Sequence, residues 1–388
     1  CTMIAKVMIK MNILLLSYEY PNTFSHGSYL IILNIAKELK KKNINLHLLY
    51  IKDCEQKNMD EYFTSVSHFK YEKTYIQKII SNIFFFFPSM QKFTDFDILN
   101  ILKEKKINLV WSFSDILSMA YVSKHYGKPL VSSLVDSRAM FYKRELEKNK
   151  QVNIYFKYFK YYFLEKYIID NSNCSIFVSQ KDADFIKINH KIKVIPNGVD
   201  TEYFKSTKVQ KTVEPNYLFF GNMDFAPNIY TAKYLANDIF PKLKEKLPAA
   251  RLFLVGKNPT YEVKELGRRD GIIVTGIVDD MRVYIDNSIM VLAPMFIGGG
   301  IKNKILEACA MEKMVLTNTI GSEALVNGFK KEIIIRDSDI DFTNEAVKYF
   351  HKKDYKKTIL NDIVQKHYSW EFVANEYIKI FEELLCVE

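Results

Sequence analysis

The sequence of 388 residues has no apolar run long enough to cross a bilayer, and few of its residues are cysteine. Its five cysteines are scattered, without the paired spacing of zinc ligands or of a disulfide framework. We therefore expect no metal site and a cytoplasmic protein. Residues 1–10 are mildly apolar and basic but contain no small-residue cleavage site, so a signal peptide is not expected there.

Two familiar phosphate-binding glycine patterns are also missing. Neither the Walker A spacing nor a Gly-x-Gly-x-x-Gly run after the first apolar segment occurs, which disfavours an oxidoreductase of Rossmann type. The net charge of +10 suits nucleic acid, anionic lipid or a phosphorylated substrate, and charge alone does not choose among them.

What is present is an alternation of short apolar runs with amphipathic segments. Residues 12–17 are typical of a buried strand, residues 29–42 of an amphipathic helix and residues 45–50 of the next strand. This βαβ order predicts a parallel sheet. Strands begin again at residues 216–222, after the turn Pro196-Asn197-Gly198 and a polar stretch typical of a linker. The length and this restart predict two α/β domains.

One glycine run stands between a strand and a helix. Gly298-Gly299-Gly300 follows the apolar residues 288–292 and precedes a helical pattern that contains Lys302 and Lys304. A helix start offers backbone N–H groups and favours an anion, so two lysines there indicate a bound phosphate or diphosphate. Glu307 could accept hydrogen bonds from a sugar hydroxyl. The alternative is a glycine-rich turn with two solvated lysines.

Other candidate residues follow predicted strands, where parallel sheets bind their ligands. Gly27, Gly221 and Gly276 stand at such positions. Asp136, Ser137 and Arg138 follow the strand of residues 129–135, and they predict either a binding site or a helix cap with Arg138 on the surface. Both interpretations remain open, and one residue could serve both roles.

Two segments are unusually aromatic. Residues 83–88 contain four consecutive phenylalanines, and residues 154–167 predict a helix with aromatic residues nearly all round it. We expect both to pack inside the protein. The alternative is contact with an anionic membrane surface through the aromatic rings and the neighbouring lysines.

The glycine run with the residues after it resembles a known signature. Gly298-Gly299-Gly300, the basic residues and Leu306-Glu307-Ala308 are similar to the C-terminal motif of retaining GT-B glycosyltransferases of family 4. That family typically has two glutamates separated by seven residues. Glu307 matches the second, and the first falls at Gly299, so the chain resembles the branch with Gly-Gly-Gly. Residues 195–200, Ile-Pro-Asn-Gly-Val-Asp, resemble the hinge of the same family.

The resemblance implies the GT-B architecture, in which two Rossmann-like domains with parallel sheets face a central cleft. The implied domains are residues 11–197, which would bind the acceptor, and residues 198–369, which would bind a nucleotide sugar. Residues 370–388 would form a helix that crosses back to the first domain. The implied reaction moves a sugar, with retention and without metal or other cofactor, from a UDP- or GDP-sugar. The acceptor would be a glycan or a lipid-linked molecule, in the synthesis of bacterial surface polysaccharide or lipopolysaccharide.

The resemblance also assigns roles to residues. Lys302 would stabilise the leaving diphosphate as a catalytic residue, and Glu307 would hold the ribose. Asp136 would lie near the acceptor hydroxyl as a second catalytic candidate, with Asp136, Ser137 and Arg138 binding the acceptor. The donor-binding prediction comprises Gly27, Gly221, Asn222, Gly276, Val278, Gly298, Gly299, Gly300, Ile301, Lys302, Asn303, Lys304 and Glu307.

Two further classes remain as alternatives. A sugar-nucleotide epimerase of the same fold would turn over without an acceptor. A non-enzymatic protein that binds membrane or nucleic acid would use the positive charge and the aromatic residues alone. The favoured prediction includes no nucleic-acid partner, and it allows peripheral contact with the inner face of the membrane.

Overall fold

The computed structural model describes residues 10–21, 27–52, 59–68, 95–113, 127–148, 150–186, 191–207, 214–296, 300–352 and 358–386. The chain divides into two compact units. The first comprises Cys1–Pro196 together with Val373–Glu388, and the second comprises Asn197–Phe372. Each unit is built on its own parallel sheet, as the sequence predicted.

The described residues of the first unit form a seven-stranded sheet in the order β3-β2-β1-β4-β5-β6-β7. The strands are β1 (Asn12–Glu19), β2 (Asn45–Lys52), β3 (Ser65–His68), β4 (Leu109–Ser112), β5 (Leu130–Val135), β6 (Cys174–Phe177) and β7 (Ile192–Val194). The helices are α1 (Gly27–Lys41), α2 (Asp95–Glu104), α3 (Arg138–Lys148), α4 (Val152–Asn171) and α5 (Gln180–Phe185), and a 3₁₀ turn covers Asp60–Tyr62. Because β1 lies between β2 and β4, the strand order reverses there, which is where doubly wound sheets open a crevice for ligands.

The described residues of the second unit form a six-stranded sheet in the order β10-β9-β8-β11-β12-β13. Its strands are β8 (Asn216–Phe220), β9 (Arg251–Val255), β10 (Ile272–Gly276), β11 (Met290–Ala293), β12 (Val315–Thr317) and β13 (Ile334–Ile335). Its helices are α6 (Ala226–Tyr234), α7 (Phe240–Lys246), α8 (Tyr261–Leu266), α9 (Met281–Asn287), α10 (Asn303–Ala310), α11 (Thr319–Ser322), α12 (Asn327–Lys330), α13 (Asp339–His351) and α14 (Thr358–Tyr368), and a π-helical turn, Leu235–Ile239, joins α6 to α7. The order reverses between β8 and β11, so a second crevice is expected there.

Both faces of the second sheet are buried. Along β8, Tyr217 and Phe219 join one apolar cluster, whereas Leu218 and Phe220 join another on the opposite side. Side chains alternate between the two faces of a strand, so a sheet covered by helices on both faces requires a continuous apolar run. This requirement explains why apolar strands could be recognised in the sequence.

The last helix, α15 (Trp370–Leu385), completes the core of the first unit. The rings of Tyr377 and Phe381 pack on Trp111 of β4 with centroid separations of 5.2 and 6.0 Å. The Trp111 indole N–H donates to the Ser133 hydroxyl at 2.9 Å, and the Tyr377 hydroxyl lies 3.1 Å from the same oxygen. A buried polar group is therefore satisfied at this contact.

Helix α4 departs from the expectation of a helix packed on all sides. Its inner face is buried through Ile154, Leu164, Ile168 and Ile169, but large apolar side chains on its outer face are exposed. The phenylalanine run at residues 83–88 lies outside the described residues. In the part of the chain that is described, no helix combines the length and apolar character needed to cross a membrane.

In the second unit, the first residues of the unit are hydrogen-bonded to residues near its C-terminal end. The Val199 N–H donates to the Tyr368 carbonyl at 2.7 Å, and Val199 pairs with Ser369 in a parallel bridge. Gly198 lies against the Trp370 indole so closely that a Cβ there would be 2.4 Å from a ring carbon. The absence of a side chain at residue 198 is therefore a packing requirement.

We expect Gly198→Ala to lower the melting temperature of the chain by several degrees. The added methyl overlaps a rigid ring, and overpacking of this kind typically costs about 1–3 kcal/mol. Differential scanning calorimetry measures the effect. Gly328→Ala is the matched control, because a Cβ at that helical glycine meets nothing within 4 Å and should leave stability unchanged or raise it. Equal melting temperatures for Gly198→Ala and wild type would contradict the packing argument.

Candidate functional site

The crevice of the second sheet is flanked by the residues that follow β8 and β11. After β8 the chain turns at Gly221, whose φ of +151° is strained for a side-chain-bearing residue. After β11 the chain runs through Pro294, Met295 and Phe296 to the glycine run, of which Gly300 lies within the described residues and Gly298 and Gly299 do not. The predicted glycine loop therefore begins just after β11, one of the two strands between which the strand order reverses.

The segment after β11 is fixed by side chains from neighbouring elements. The Asn318 amide oxygen accepts from the Met295 N–H at 3.0 Å, and its amide nitrogen donates to the Met295 carbonyl at 2.8 Å. The buried Thr231 hydroxyl donates to the Pro294 carbonyl at 3.0 Å. The Phe296 ring meets Tyr234 edge to face at 4.7 Å. These hydrogen bonds satisfy the backbone polar groups of Pro294 and Met295 at the approach to the glycine run.

The glycine run leads into α10. Gly300 has a φ of +68°, in the left-handed region that glycine adopts without strain. Ile301 is buried, and Lys302 occupies the N-cap position without a side-chain capping bond. Asn303 is exposed in the first turn. An N-cap lysine is unusual, because that position favours side chains that accept hydrogen bonds from the first-turn amides.

Lys304 is held inside the crevice. Its ammonium group donates to the Asn228 amide oxygen at 2.7 Å and lies 4.1 Å from the centroid of the Phe219 ring. The Asn228 amide nitrogen in turn donates to the Asn222 carbonyl at 2.8 Å. The structure thus brings together the predicted Asn222 and Lys304, and it adds Asn228 from the first turn of α6.

Glycines at strand ends leave the space for this cluster. A Cβ at Gly221 would lie 2.8 Å from the Asn228 amide nitrogen and 3.3 Å from the Lys304 ammonium. A Cβ at Gly256, after β9, would lie 1.7 Å from the Gly221 carbonyl oxygen, and Gly256 has a φ of +153°. Gly276, at the end of β10, has a φ of +75° and accepts a hydrogen bond from the Gly256 N–H at 3.1 Å.

Burial changes the charge balance of α10. Lys304 and Glu307 keep some exposed surface, but their ionisable groups lie in close protein surroundings. Burial lowers the pKa of Lys304 to about 7, with the Lys302 charge acting in the same direction and Glu307 opposing it. Burial likewise raises the pKa of Glu307 to about 7 against the charge of Lys304. Near neutral pH both groups are therefore poised to gain or lose a proton.

The loop after β10 carries the predicted Val278. Val278 is half-buried against the apolar cluster behind the sheet, while its neighbour Ile277 is 82% exposed. Asp280 caps α9 by accepting from the Arg282 N–H at 2.9 Å. The Arg282 guanidinium lies 4.4 Å from the Tyr203 ring centroid and contributes to holding the pKa of Asp280 below its usual value.

In the first unit, Asp136, Ser137 and Arg138 follow β5. Val135 has a φ of +64°, a backbone conformation that is rare for a β-branched residue and costs about 1–3 kcal/mol. Asp136 is exposed, whereas Ser137 is 1% exposed. The Ser137 hydroxyl accepts from the Met140 N–H at 3.0 Å and so caps α3. Of the two predicted capping candidates, Ser137 therefore takes this role.

A buried carboxylate from α4 organises this turn. Glu165 is 2% exposed and accepts from the Ser137 hydroxyl at 2.7 Å and from the N–H groups of Arg138 and Ala139 at 2.7 and 3.2 Å. Asp182 accepts from the Ser137 N–H at 3.0 Å. A carboxylate at a helix N-terminus is favoured by the helix dipole as well as by these hydrogen bonds. Glu165 thereby fixes the backbone on which Asp136 is presented.

The side chain of Arg138 is exposed and lies 5.3 Å from the centroid of the Tyr161 ring of α4. Tyr29, in the first turn of α1, is close enough for the charges of Glu19 and Arg138 to act on its hydroxyl, and burial raises its pKa well above the usual value. Gly27 is the first residue of α1. The predicted acceptor residues and Gly27 thus belong to the first unit, and the other predicted donor residues belong to the second.

Among the described residues, no group of three or more His, Cys, Asp or Glu side chains could hold a metal ion.

Two models of known protein families match this chain. A family model described as Glycosyltransferase Family 4 matches residues 27–203, and one described as Glycosyl transferases group 1 matches residues 214–352. The chain belongs to the GT-B glycosyltransferases. The first match lies in the first unit except for residues 197–203, which belong to the second unit. The second match lies entirely in the second unit. The sequence-based assignment to the family 4 glycosyltransferases is therefore confirmed, while retention and membership of the Gly-Gly-Gly branch stay predictions.

Individual relatives of this glycosyltransferase are distant. An uncharacterized 44.6 kDa protein in the cps region of Klebsiella pneumoniae is 21% identical over 375 residues, covering 87% of this chain and 90% of the relative. The crystal structure of Anabaena Alr3699/HepE in complex with UDP and glucose has a TM-score of 0.67 at 14% identity, covering 96% and 99% of the two chains. WaaG, a glycosyltransferase involved in lipopolysaccharide biosynthesis, has a TM-score of 0.58 at 14% identity, with 94% of each chain covered. At this identity the two structures show a shared fold.

Three residues of the site were missed by the sequence analysis. Asn228 could have been considered as a site residue from the sequence, because Pro227-Asn228 follows a strand and opens a helix. The sequence did not indicate the contact with Lys304, which lies 76 positions further along the chain. Glu165 lies in the middle of an aromatic helix, where nothing in the local pattern marks it. Asn318 follows β12 as one polar residue among many.

We expect Glu165→Gln to destabilise the first unit by about 1–3 kcal/mol. Oε1 accepts from both backbone N–H groups and Oε2 accepts from the Ser137 hydroxyl, so a neutral amide has one acceptor oxygen too few and loses the charge that the helix dipole favours. Urea unfolding followed by tryptophan fluorescence measures the change, since Trp111 lies in the core of this unit. Glu147→Gln on the exposed face of α3 is the matched control and should stay within about 0.5 kcal/mol of wild type. If both variants unfold at the wild-type urea concentration, Glu165 is not the organising group.

Proposed function

We propose that this glycosyltransferase moves a sugar from a nucleoside diphosphate sugar, with UDP as the favoured nucleotide, to a glycan or lipid-linked acceptor. The proposed role is in the synthesis of bacterial surface polysaccharide or lipopolysaccharide. The observation that carries the proposal is Lys304 in the first turn of α10, whose ammonium lies at Asn228 of α6 and Phe219 of β8, where burial disfavours its charge unless an anion is bound. A relative from a cps region, a neighbour with bound UDP and glucose, and a neighbour in lipopolysaccharide biosynthesis support it.

On the donor side, the diphosphate is proposed to bind at the glycine run and the first turn of α10. The backbone N–H groups around Gly300 and Asn303 donate to its oxygens, and Lys302 and Lys304 balance its charge. As the bond to the sugar breaks, negative charge grows on the leaving diphosphate, so these groups stabilise the transition state more than the bound substrate. Glu307 accepts hydrogen bonds from the ribose hydroxyls.

Gly221, Asn222 and Gly276 are proposed to let the backbone approach the donor closely, and Val278 to contact the base. The reaction is proposed to retain the anomeric configuration, as the family resemblance implies. It is also proposed to proceed without a metal, because two lysines and a helix start supply the positive charge that the leaving group requires.

On the acceptor side, Asp136 is proposed to lie near the reacting hydroxyl. It is exposed, it directly follows the strained Val135, and strain of this kind is concentrated at functional sites. Arg138 is proposed to bind the acceptor, while Ser137 holds the turn through its bonds to Glu165 and Met140. Gly27, at the start of α1, is proposed to contact the donor.

A panel of UDP-, GDP-, ADP- and CMP-sugars tests the donor site through thermal shift. We expect a selective increase in melting temperature with UDP-sugars, since a ligand that binds the folded state stabilises it by mass action. Lys304→Met and Glu307→Gln should reduce the shift, and the exposed Lys348→Met on α13 should preserve it. A folded wild-type chain that responds to no nucleotide would refute the proposal. Product formed from a UDP-sugar alone, without acceptor, would indicate an epimerase instead.

The charge of Lys304 makes donor binding depend on pH. A bound diphosphate raises the pKa of Lys304 from about 7, so binding takes up a proton at higher pH and weakens as the pH increases. Between about pH 8 and pH 9, Glu307 is already largely ionised, and the affinity should fall by up to about tenfold per pH unit.

Isothermal titration calorimetry with UDP-glucose checks this dependence. Runs in two buffers of different ionisation enthalpy report the proton uptake directly. Lys304→Met should bind more weakly and lose the pH dependence above pH 8, whereas Lys302→Met should bind more weakly and keep it. An affinity of wild type that stays constant from about pH 7 to pH 9 would show that Lys304 does not meet the diphosphate.

A further inference from the structure

The outer face of α4 presents a row of large apolar side chains. Their exposed fractions range from 43% for Tyr167 to 69% for Val152. We call these side chains the α4 stripe, which comprises Val152, Tyr155, Phe156, Phe159, Phe163 and Tyr167. An exposed apolar surface of this extent is uncommon on a globular protein and marks an interaction site.

The spacing places the α4 stripe on one side of the helix. Successive members are separated by three, one, three, four and four positions, so at 100° per residue they fall within an arc of about 120°. The buried residues Ile154, Leu164 and Ile168 lie on the opposite side, and Leu164 and Ile168 belong to an apolar cluster of the first unit. The helix is therefore anchored by one face, while the other offers a row about 23 Å long.

Positive charge accompanies the α4 stripe. Lys166 is exposed within the arc of the stripe, Lys160 is half-buried about 20° beyond its edge, and Lys150 is exposed just before the helix. Lys157 is also exposed, but it lies about 140° from Val152, on the side of α4 that meets α3. The Lys157 ammonium lies 5.5 Å from the Tyr142 ring centroid, and that of Lys160 lies 6.0 Å from the Tyr161 ring centroid. Against these cations, Glu165 is buried at the α3 turn, and Asp170 is exposed at the far end of the helix.

We propose that the α4 stripe and its lysines bind the surface of an anionic lipid bilayer, with α4 lying in the plane of the membrane. Aromatic rings partition into the boundary between headgroups and acyl chains, and lysines beside them meet anionic headgroups. A second copy of the chain fits this surface poorly, because a self-interface would bring the lysines of both copies together. The net charge of +10 acts in the same direction as the local charge.

Flotation of the full-length chain with vesicles tests the proposal. We expect binding to vesicles of equal parts phosphatidylglycerol and phosphatidylcholine, with little binding to phosphatidylcholine alone, and a strong decrease at high salt. The triple variant Phe156→Ser/Phe159→Ser/Phe163→Ser should reduce the affinity by more than about tenfold. The double variant Lys160→Glu/Lys166→Glu should lose the preference for anionic vesicles.

A matched control removes three exposed apolar side chains elsewhere. The triple variant Tyr261→Ser/Ile340→Ser/Ile359→Ser changes residues on helices of the second unit that are 75%, 68% and 43% exposed. This variant should bind vesicles as wild type does.

The proposal does not depend on the proposed transfer reaction. A stripe variant that retains its circular dichroism, its melting temperature and its response to UDP-glucose in solution would show that a loss of vesicle binding comes from the stripe.

Three outcomes would overturn the proposal. The wild-type chain could fail to bind anionic vesicles, or the triple stripe variant could bind them as tightly as wild type. The third outcome would come from sedimentation analysis without lipid. If wild type forms a dimer and the triple stripe variant does not, the surface binds a second copy of the chain.

Discussion

A buried lysine is the constraint on which the second unit depends. The Lys304 ammonium has lost much of its hydration and is compensated by an amide oxygen of Asn228 and the face of Phe219. Such a charge is tolerable when its surroundings are held firmly. The glycines at residues 221 and 256 provide the space, the adjacency of β8 and β11 provides the crevice, and Asn318 fixes the chain that enters the glycine run. A small error in any of these would leave the Lys304 amine buried without its hydrogen-bond partner.

The sequence revealed those features that depend on near neighbours in the chain. Apolar runs predicted the strands because both faces of each sheet are covered, and the glycine run was located because it lies between a strand and a helix. The partners of the site were not accessible in the same way. Asn228 meets Lys304, and Glu165 meets Ser137, only after the chain has folded back over tens of residues. No local period encodes such a contact.

The exposure of one face of helix α4 could not be predicted from the sequence pattern either. Apolar residues on two opposite faces give no amphipathic signal, so the sequence suggested a helix surrounded by protein. The structure instead shows one face in the core and one exposed. The same helix supplies Glu165 to the turn that bears Asp136, so its position matters to the acceptor side as well as to the surface of the unit.

The two units also differ in how they are assembled along the chain. Residues 197–372 are continuous, so the second unit can fold as soon as they have been synthesised. The first unit cannot, because Trp111 on β4 remains without Tyr377 and Phe381 until α15 has left the ribosome. More than 200 residues of synthesis separate β4 from that helix. During much of translation the Trp111 side chain therefore lacks the two rings that cover it in the folded unit. Apolar surface exposed in this way is what chaperones bind on nascent chains.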